Sequence, residues 1–195
     1  MGGKFFMNAY QDLITEYPIF TPKNPWIPHK PVVLEIGCYK GLTLKHLASS
    51  HPESDFVGLD LTLKRGVLSY RRTQHLNNVK VGLWDALDFL SYCPDHSFEG
   101  MVILFPDPWP KKKHSQNRLL GSHFFFMAKR KLVPNGYLWI KTDEKNYHES
   151  IVHWAQYWRW GTLPECPLVK TTSSFENLFT KQQKKIYESV FSSIS

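Results

Sequence analysis

The chain has 195 residues, of which 42% are hydrophobic and 21% charged. That composition excludes a disordered or fibrous protein, and the length corresponds to one compact domain. Lysine and arginine number 24 against 17 acidic residues, a formal charge of +7, which points to a polyanionic partner. No apolar run reaches the ~18 residues of a membrane helix; Pro106 stops the run from Met101 to Phe105. Asp12 and Glu16 interrupt the region where a signal peptide would be apolar, and Phe6 stands where a myristoylation signal wants Ser or Thr. Cys38, Cys93 and Cys166 are an odd set with no Cys-x-x-Cys spacing. They argue against a disulfide framework or a structural zinc site and fit a reducing, cytoplasmic compartment.

Val32 to Ile36 reads as a short buried strand followed by Gly37, and Leu42 to Ser50 as a helix. Phe56 to Leu59 is a second strand ending at Asp60, and Leu63 to Leu76 a second helix. Val79 to Leu83 fits a third strand and Phe98 to Phe105 a fourth. A helix is expected over Asn117 to Leu132, stopped by Pro134-Asn135-Gly136, then a fifth strand over Tyr137 to Thr142 and a helix over Tyr147 to Trp158. Pro164 and Pro167 break the tail, and Lys185 to Phe191 reads as a late, antiparallel strand. Short apolar runs alternating with helical patterns indicate βαβ units. The expected fold is α/β: a doubly wound, mostly parallel, Rossmann-like sheet with helices on both faces. It spans residues 1–195 as a single domain, with 1–30 as an N-terminal arm and 164–195 as a tail.

The charge is concentrated. From Pro108 to Thr142 there are eight basic residues and no acidic one. His148 and His153 are five apart and do not share a helix face well, so no metal site is expected. Trp154, Trp158 and Trp160 read as packing residues and Cys38 as a small buried one.

The first strand ends Leu34-Glu35-Ile36-Gly37-Cys38-Tyr39-Lys40-Gly41. An acid at a strand end before a glycine-containing turn marks the ligand edge of a doubly wound sheet. The dinucleotide spacing Gly-x-Gly-x-x-Gly is not met, since Tyr39 fills the second position. Asp60, at the next strand end, is placed to accept from a ribose diol, and Asp85, after the third, from an adenine amine. No basic residue between Gly37 and Tyr39 meets a diphosphate. The pattern favours a nucleoside with a small charged tail, such as S-adenosylmethionine, over a dinucleotide. After the fourth strand comes Phe105-Pro106-Asp107-Pro108-Trp109-Pro110-Lys111-Lys112-Lys113. Three prolines stiffen this loop around one carboxylate, Trp109 offers a face for a flat base, and the lysines suit phosphates.

The string Phe-Pro-Asp-Pro-Trp-x-Lys with its basic run resembles the signature of the bacterial tRNA (guanine-N7-)-methyltransferases. The resemblance runs from about Val32 to Phe191 and includes Glu35-Ile36-Gly37, Thr142-Asp143 and Ser173-Ser174-Phe175-Glu176. It implies the class I S-adenosylmethionine-dependent methyltransferase fold and methyl transfer to N7 of guanine 46 in the tRNA variable loop. By the same resemblance Glu35, Gly37, Asp60, Asp85 and Asp107 bind S-adenosylmethionine, and Asp107 is the active-site residue. Lys111, Asp143, Ser173, Ser174, Phe175 and Glu176 correspond to tRNA-contacting positions, which makes 164–195 a tRNA-contacting tail. No membrane or metal partner is implied, and monomer and homodimer both stay open.

Four features depart from the family pattern: Tyr39 stands where glycine is usual, Ser174 where a cation is usual and Lys170 where arginine is common, and the family's later glycines are absent between Leu178 and Lys185. Tyr39 is expected to keep an ordinary backbone, with its ring along the pocket rim. Two other readings stay open. One is a methyltransferase acting on exocyclic base amines, which Asp107-Pro108-Trp109 partly resembles. The other is a tRNA-binding domain without catalysis.

Overall fold

The computed structural model describes residues 17–109, 118–168 and 173–193. Seven strands form one sheet: β1 (Val32–Ile36), β2 (Phe56–Asp60), β3 (Val79–Leu83), β4 (Phe98–Leu104), β5 (Leu132–Thr142), β6 (Gly161–Thr162) and β7 (Tyr187–Ser192). The helices described are α1 (Leu42–Ser50), α2 (Leu63–Thr73), α3 (Ala86–Tyr92), α4 (Ser122–Lys131), α5 (Lys145–Tyr157) and α6 (Ser174–Lys181). The strand order is β3-β2-β1-β4-β5-β7-β6. β1 to β5 are parallel, and β7 runs antiparallel to both β5 and β6.

β1 lies in the middle and is buried along its whole length, as expected of a strand covered on both faces. Alternate residues serve opposite sides. Val32, Leu34 and Ile36 join one core with Phe98, Met101, Phe124 and Leu138. Val33 joins the other with Leu44, Phe56, Val102 and Trp139. The chain lays β2 and β3 on one side of β1 and then crosses to lay β4 and β5 on the other. This reversal leaves a crevice outside the carboxyl ends of β1 and β4, where open α/β sheets bind ligands.

The parallel strands and the antiparallel β7 stand where the sequence predicts them. Four elements differ most. The fifth strand begins at Leu132, which pairs with Phe98 before the register shifts to Gly100 opposite Tyr137. Pro134-Asn135-Gly136 therefore falls in an irregular stretch of β5, with Asn135 at φ 62°; the preceding helix has already stopped at Lys131. That helix starts at Ser122 instead of Asn117, and residue 117 lies outside the described segments. The helices α3 and α6 were not expected. Each opens on a side-chain cap: Asp85 accepts from the Leu87 and Asp88 amides, and Ser173 from the Glu176 amide.

Gly41 closes the turn after β1 and shows why only glycine serves there. Its φ is +69°, and a β-carbon would lie 2.5 Å from Ser69 Oγ and 2.8 Å from Ser69 Cα on α2. Gly41→Ala should therefore cost about 1–3 kcal/mol from the left-handed backbone alone, with further loss from the clash. The urea midpoint would read this loss, and a midpoint shared with the parent would contradict it.

Candidate functional site

The turn after β1 is held by backbone groups of β2. The amides of Gly37 and Cys38 both donate to Leu59 O at 2.9 Å, and Gly41 N donates to Cys38 O at 2.7 Å. Gly37 takes φ 79°. Tyr39 takes φ 51°, so the expectation of an ordinary backbone there is corrected. The residue copies the left-handed turn that glycine makes more cheaply, at a strain of about 1–3 kcal/mol. Two contacts hold it. Its amide donates to Asp60 Oδ2 at 3.1 Å, and its ring packs against Phe175 of α6, with centroids 5.3 Å apart.

Asp60 is buried at 6% exposure. Besides Tyr39 N on Oδ2, it accepts from Thr62 N on Oδ1 at 2.9 Å. Each oxygen keeps a second lone pair for a ligand. Glu35 sits one strand away, 4% exposed. Its Oε2 has no hydrogen-bond partner among the described residues. Burial and the nearby Asp60 charge push its pKa up to about 8, partly offset by a hydrogen bond from the Leu44 backbone. Glu35 is thus protonated near neutrality in the ligand-free fold. Burial and the adjacent Glu35 likewise push the Cys38 thiol up, so Cys38 is an inert buried group.

A cleft runs along this turn, lined by Glu35, Gly37 and Tyr39 on one side and by Leu104, Ser173 and Phe175 on the other. Of the expected cofactor acids only Glu35 lines it; Asp60, Asp85 and Asp107 do not. Asp85 stands at the end of β3 as the exposed cap of α3.

Asp107 follows β4 and is exposed, and among the described residues none donates a hydrogen bond to it. The residues flanking its loop are strained: Phe105 has φ 54° and Trp109 φ 41°. Phe105 N donates to Lys141 O at 2.8 Å, and its ring meets Phe175 and Phe179 at 6.5 and 5.2 Å. On the far side, Arg118 Nε donates to Pro108 O at 2.8 Å. The Arg118 guanidinium lies 4.7 Å from the Tyr147 ring centre, and Leu120 N donates to the Tyr147 hydroxyl at 3.0 Å. The loop is therefore anchored at both ends. Lys111 lies outside the described residues, as does the side chain of Ser174.

The remaining expected substrate positions are tied into the fold. Ser173 caps α6. Glu176, placed as in a capping box, instead turns both oxygens to Lys141 Nζ at 2.9 and 3.1 Å. Lys141 is 5% exposed within β5. Asp143 accepts from Lys184 Nζ at 2.8 Å. Two ion pairs thus fasten the tail to the end of β5. The sequence reading missed Lys141, although a lysine inside the apolar run Tyr137 to Thr142 signals a buried cation that needs a partner. It also missed Arg118 as the anchor of the Asp107 loop. Among the described residues, no cluster could hold a metal ion and no helix is long and apolar enough to cross a membrane.

Glu35 makes stability depend on pH. Below about pH 4.5 the carboxyl is protonated in both states and its contribution is fully present. Between there and about pH 8 the fold holds a proton that the unfolded chain has released, so stability falls as pH rises. The limiting slope is ~1.4 kcal/mol per pH unit. Glu35→Gln lacks this slope, so its advantage over the ligand-free parent should grow steadily from pH 5 to pH 8. Parallel stability curves from urea unfolding would contradict the assignment.

Residues 29–189 match the family described as "Putative methyltransferase". The tRNA (guanine-N(7)-)-methyltransferase of Nitrosomonas eutropha is 36% identical over 155 residues, covering 75% of this chain and 69% of that protein. The one from Alkalilimnicola ehrlichii is 38% identical over 126 residues, 63% of this chain and 53% of its own length. The chain spans about half the length of that relative. In structure, a SAM dependent methyltransferase from Aquifex aeolicus superposes with a TM-score of 0.59 at 14% identity, covering 95% of this chain and 89% of its own. That likeness shows the Rossmann-like methyltransferase fold, with its antiparallel last strand. The family match and the relative from Nitrosomonas eutropha establish that the chain belongs to the tRNA (guanine-N(7)-)-methyltransferase family.

Proposed function

We propose that this chain transfers a methyl group from S-adenosylmethionine to N7 of a guanine in tRNA, guanine 46 of the variable loop by family resemblance. The observation that carries the reading is a juxtaposition. An exposed carboxylate, Asp107, is held in a rigid loop at the end of β4, beside the β1 end that carries buried Glu35 and the left-handed turn.

The residues fit the cofactor. Glu35 Oε2 is buried at the cleft without a partner among the described residues, and Asp60 keeps free lone pairs. Glu35, Gly37 and Asp60 would hold it, with Asp85 toward the adenine. When bound, the cofactor supplies a methyl group that is already activated. A cation near Glu35 favours the ionised carboxylate and so opposes the effect of burial.

Guanine N7 carries a lone pair and no proton, so no residue need act as a base before transfer. Asp107 instead holds the guanine edge and keeps negative charge where the ring becomes positive. Trp109, 40% exposed, offers a stacking face. Lys111 and its neighbours meet phosphates. The tail, through Ser173, Ser174, Phe175 and Glu176, and Asp143 are part of the same RNA-binding proposal. Here Asp143 and Glu176 act by fastening the segment that meets the RNA. The setting for such a reaction is the cytoplasm.

The test is to incubate the protein with tRNA and S-adenosylmethionine, digest the RNA and identify nucleosides by mass spectrometry. The expected product is 7-methylguanosine. Asp107→Asn should slow its formation roughly a hundredfold or more, about 3 kcal/mol, without moving the melting midpoint. An amine-methylated base would assign a different reaction, and no product would leave a binding domain.

A further inference from the structure

Lys40, Lys64, Arg65 and Arg72 form a cationic patch on the side of β1 away from the Asp107 loop. All four are exposed. Arg65 and Arg72 are seven residues apart on α2, two helical turns, and so share a face. That face is tied to the turn after β1. The Arg65 guanidinium lies 5.1 Å from the Tyr39 ring centre, and Arg72 Nη1 donates to Lys40 O at 2.7 Å. No acidic residue occurs in α2. Among the described residues, the only acid paired with the four is buried Asp60, 4.0 Å from Arg65.

Fold stability accounts for only part of this arrangement. Arg71 and Arg72, in the last turn of α2, complement the helix dipole. Lys64 and Arg65, in the first turn, oppose it. The cofactor does not account for it either, since its methionine end offers one carboxylate against four cations. Beside them Leu61 is 74% exposed, an apolar surface against which a ribose or base can lie.

We infer that this patch binds the phosphate backbone of the same RNA whose guanine is methylated, as a second RNA surface. The inference rests on the functional reading above. β2, which leads into α2, lies on one side of β1, and β4, which leads to Asp107 and Lys111, on the other. Two strand spacings, about 10 Å, separate them. An RNA strand that touches both crosses over the cleft between them, which fixes the direction in which the target base arrives.

The test compares tRNA binding over a range of salt concentrations for the parent, for Lys64→Gln, for Lys64→Gln with Arg72→Gln, and for a triple exchange of Lys111, Lys112 and Lys113 to Gln. Each lost phosphate contact should lower the slope of log affinity against log salt by about 0.7–0.9. We expect Lys64→Gln to lower it by about that amount and the double variant by about twice as much, additively with the triple. Among the described residues Lys64 makes no hydrogen bond or ion pair with the turn and does not line the cleft, so calorimetry without RNA should show cofactor affinity unchanged in that variant. A slope that falls with the triple exchange but not with the α2 variants would overturn this surface and leave the tRNA reading standing. A parent with no salt-dependent tRNA binding would overturn both. If the parent sediments with phosphatidylserine vesicles and Lys64→Gln does not, with the tRNA slope unmoved, the patch belongs to a lipid surface and the inference fails.

Discussion

Tyr39, Phe105 and Trp109 hold left-handed backbone conformations that a β-carbon disfavours, and the surrounding structure supplies what keeps them there. All three lie at the carboxyl ends of β1 and β4. Each carries strain that persists only where its neighbours over-determine it. Asp60 does so for Tyr39 through the backbone amide. Lys141 O does so for Phe105, and Arg118 fixes the loop just before Trp109. The rings of Tyr39, Phe175, Phe105 and Phe179 then link the turn after β1 to the loop after β4 by way of α6. The edge is formed in advance, with little freedom left to lose when a ligand arrives.

The acids at this edge are not equivalent, and burial separates them. Glu35 is driven toward the neutral form. Asp60 is buried too, and it receives two backbone amides. Asp107 stands in solvent. Glu176 and Asp143 are paired with Lys141 and Lys184. Breaking such a pair inside the fold strands a buried charge, so Lys141 and Glu176 act as a fastening for α6. The tail is thereby part of the cleft wall, through Ser173 and Phe175.

Much of this was legible in the sequence. Five apolar runs spaced by helical patterns are enough for a parallel sheet, because the central runs are buried on both faces and need helices to cover them. The acids at strand ends and the proline-bound Asp107 were readable for the same reason: their chemistry is local. What escaped was non-local. A lone lysine in β5 does not announce Glu176, which lies 35 residues away. Tyr39 gave no local sign of a left-handed backbone, since Asp60 and Phe175, which hold it, come from β2 and α6. Asp85 also caps α3 through Oδ1, a second role that its place at a strand end does not announce. The basic face of α2 was hidden because its cations are spaced among apolar and small residues and join Lys40 only when the helix packs beside the turn after β1.

The central claim is that the strained edge is the cofactor site as it stands. A crystal structure with S-adenosylhomocysteine tests it most directly. The account predicts the nucleoside seated along the Gly37–Gly41 turn, with Glu35 and Asp60 within hydrogen-bond reach. Tyr39 should remain at positive φ and in contact with Phe175. A ligand bound elsewhere, or a Tyr39 backbone that relaxes to negative φ as the turn opens, would contradict it.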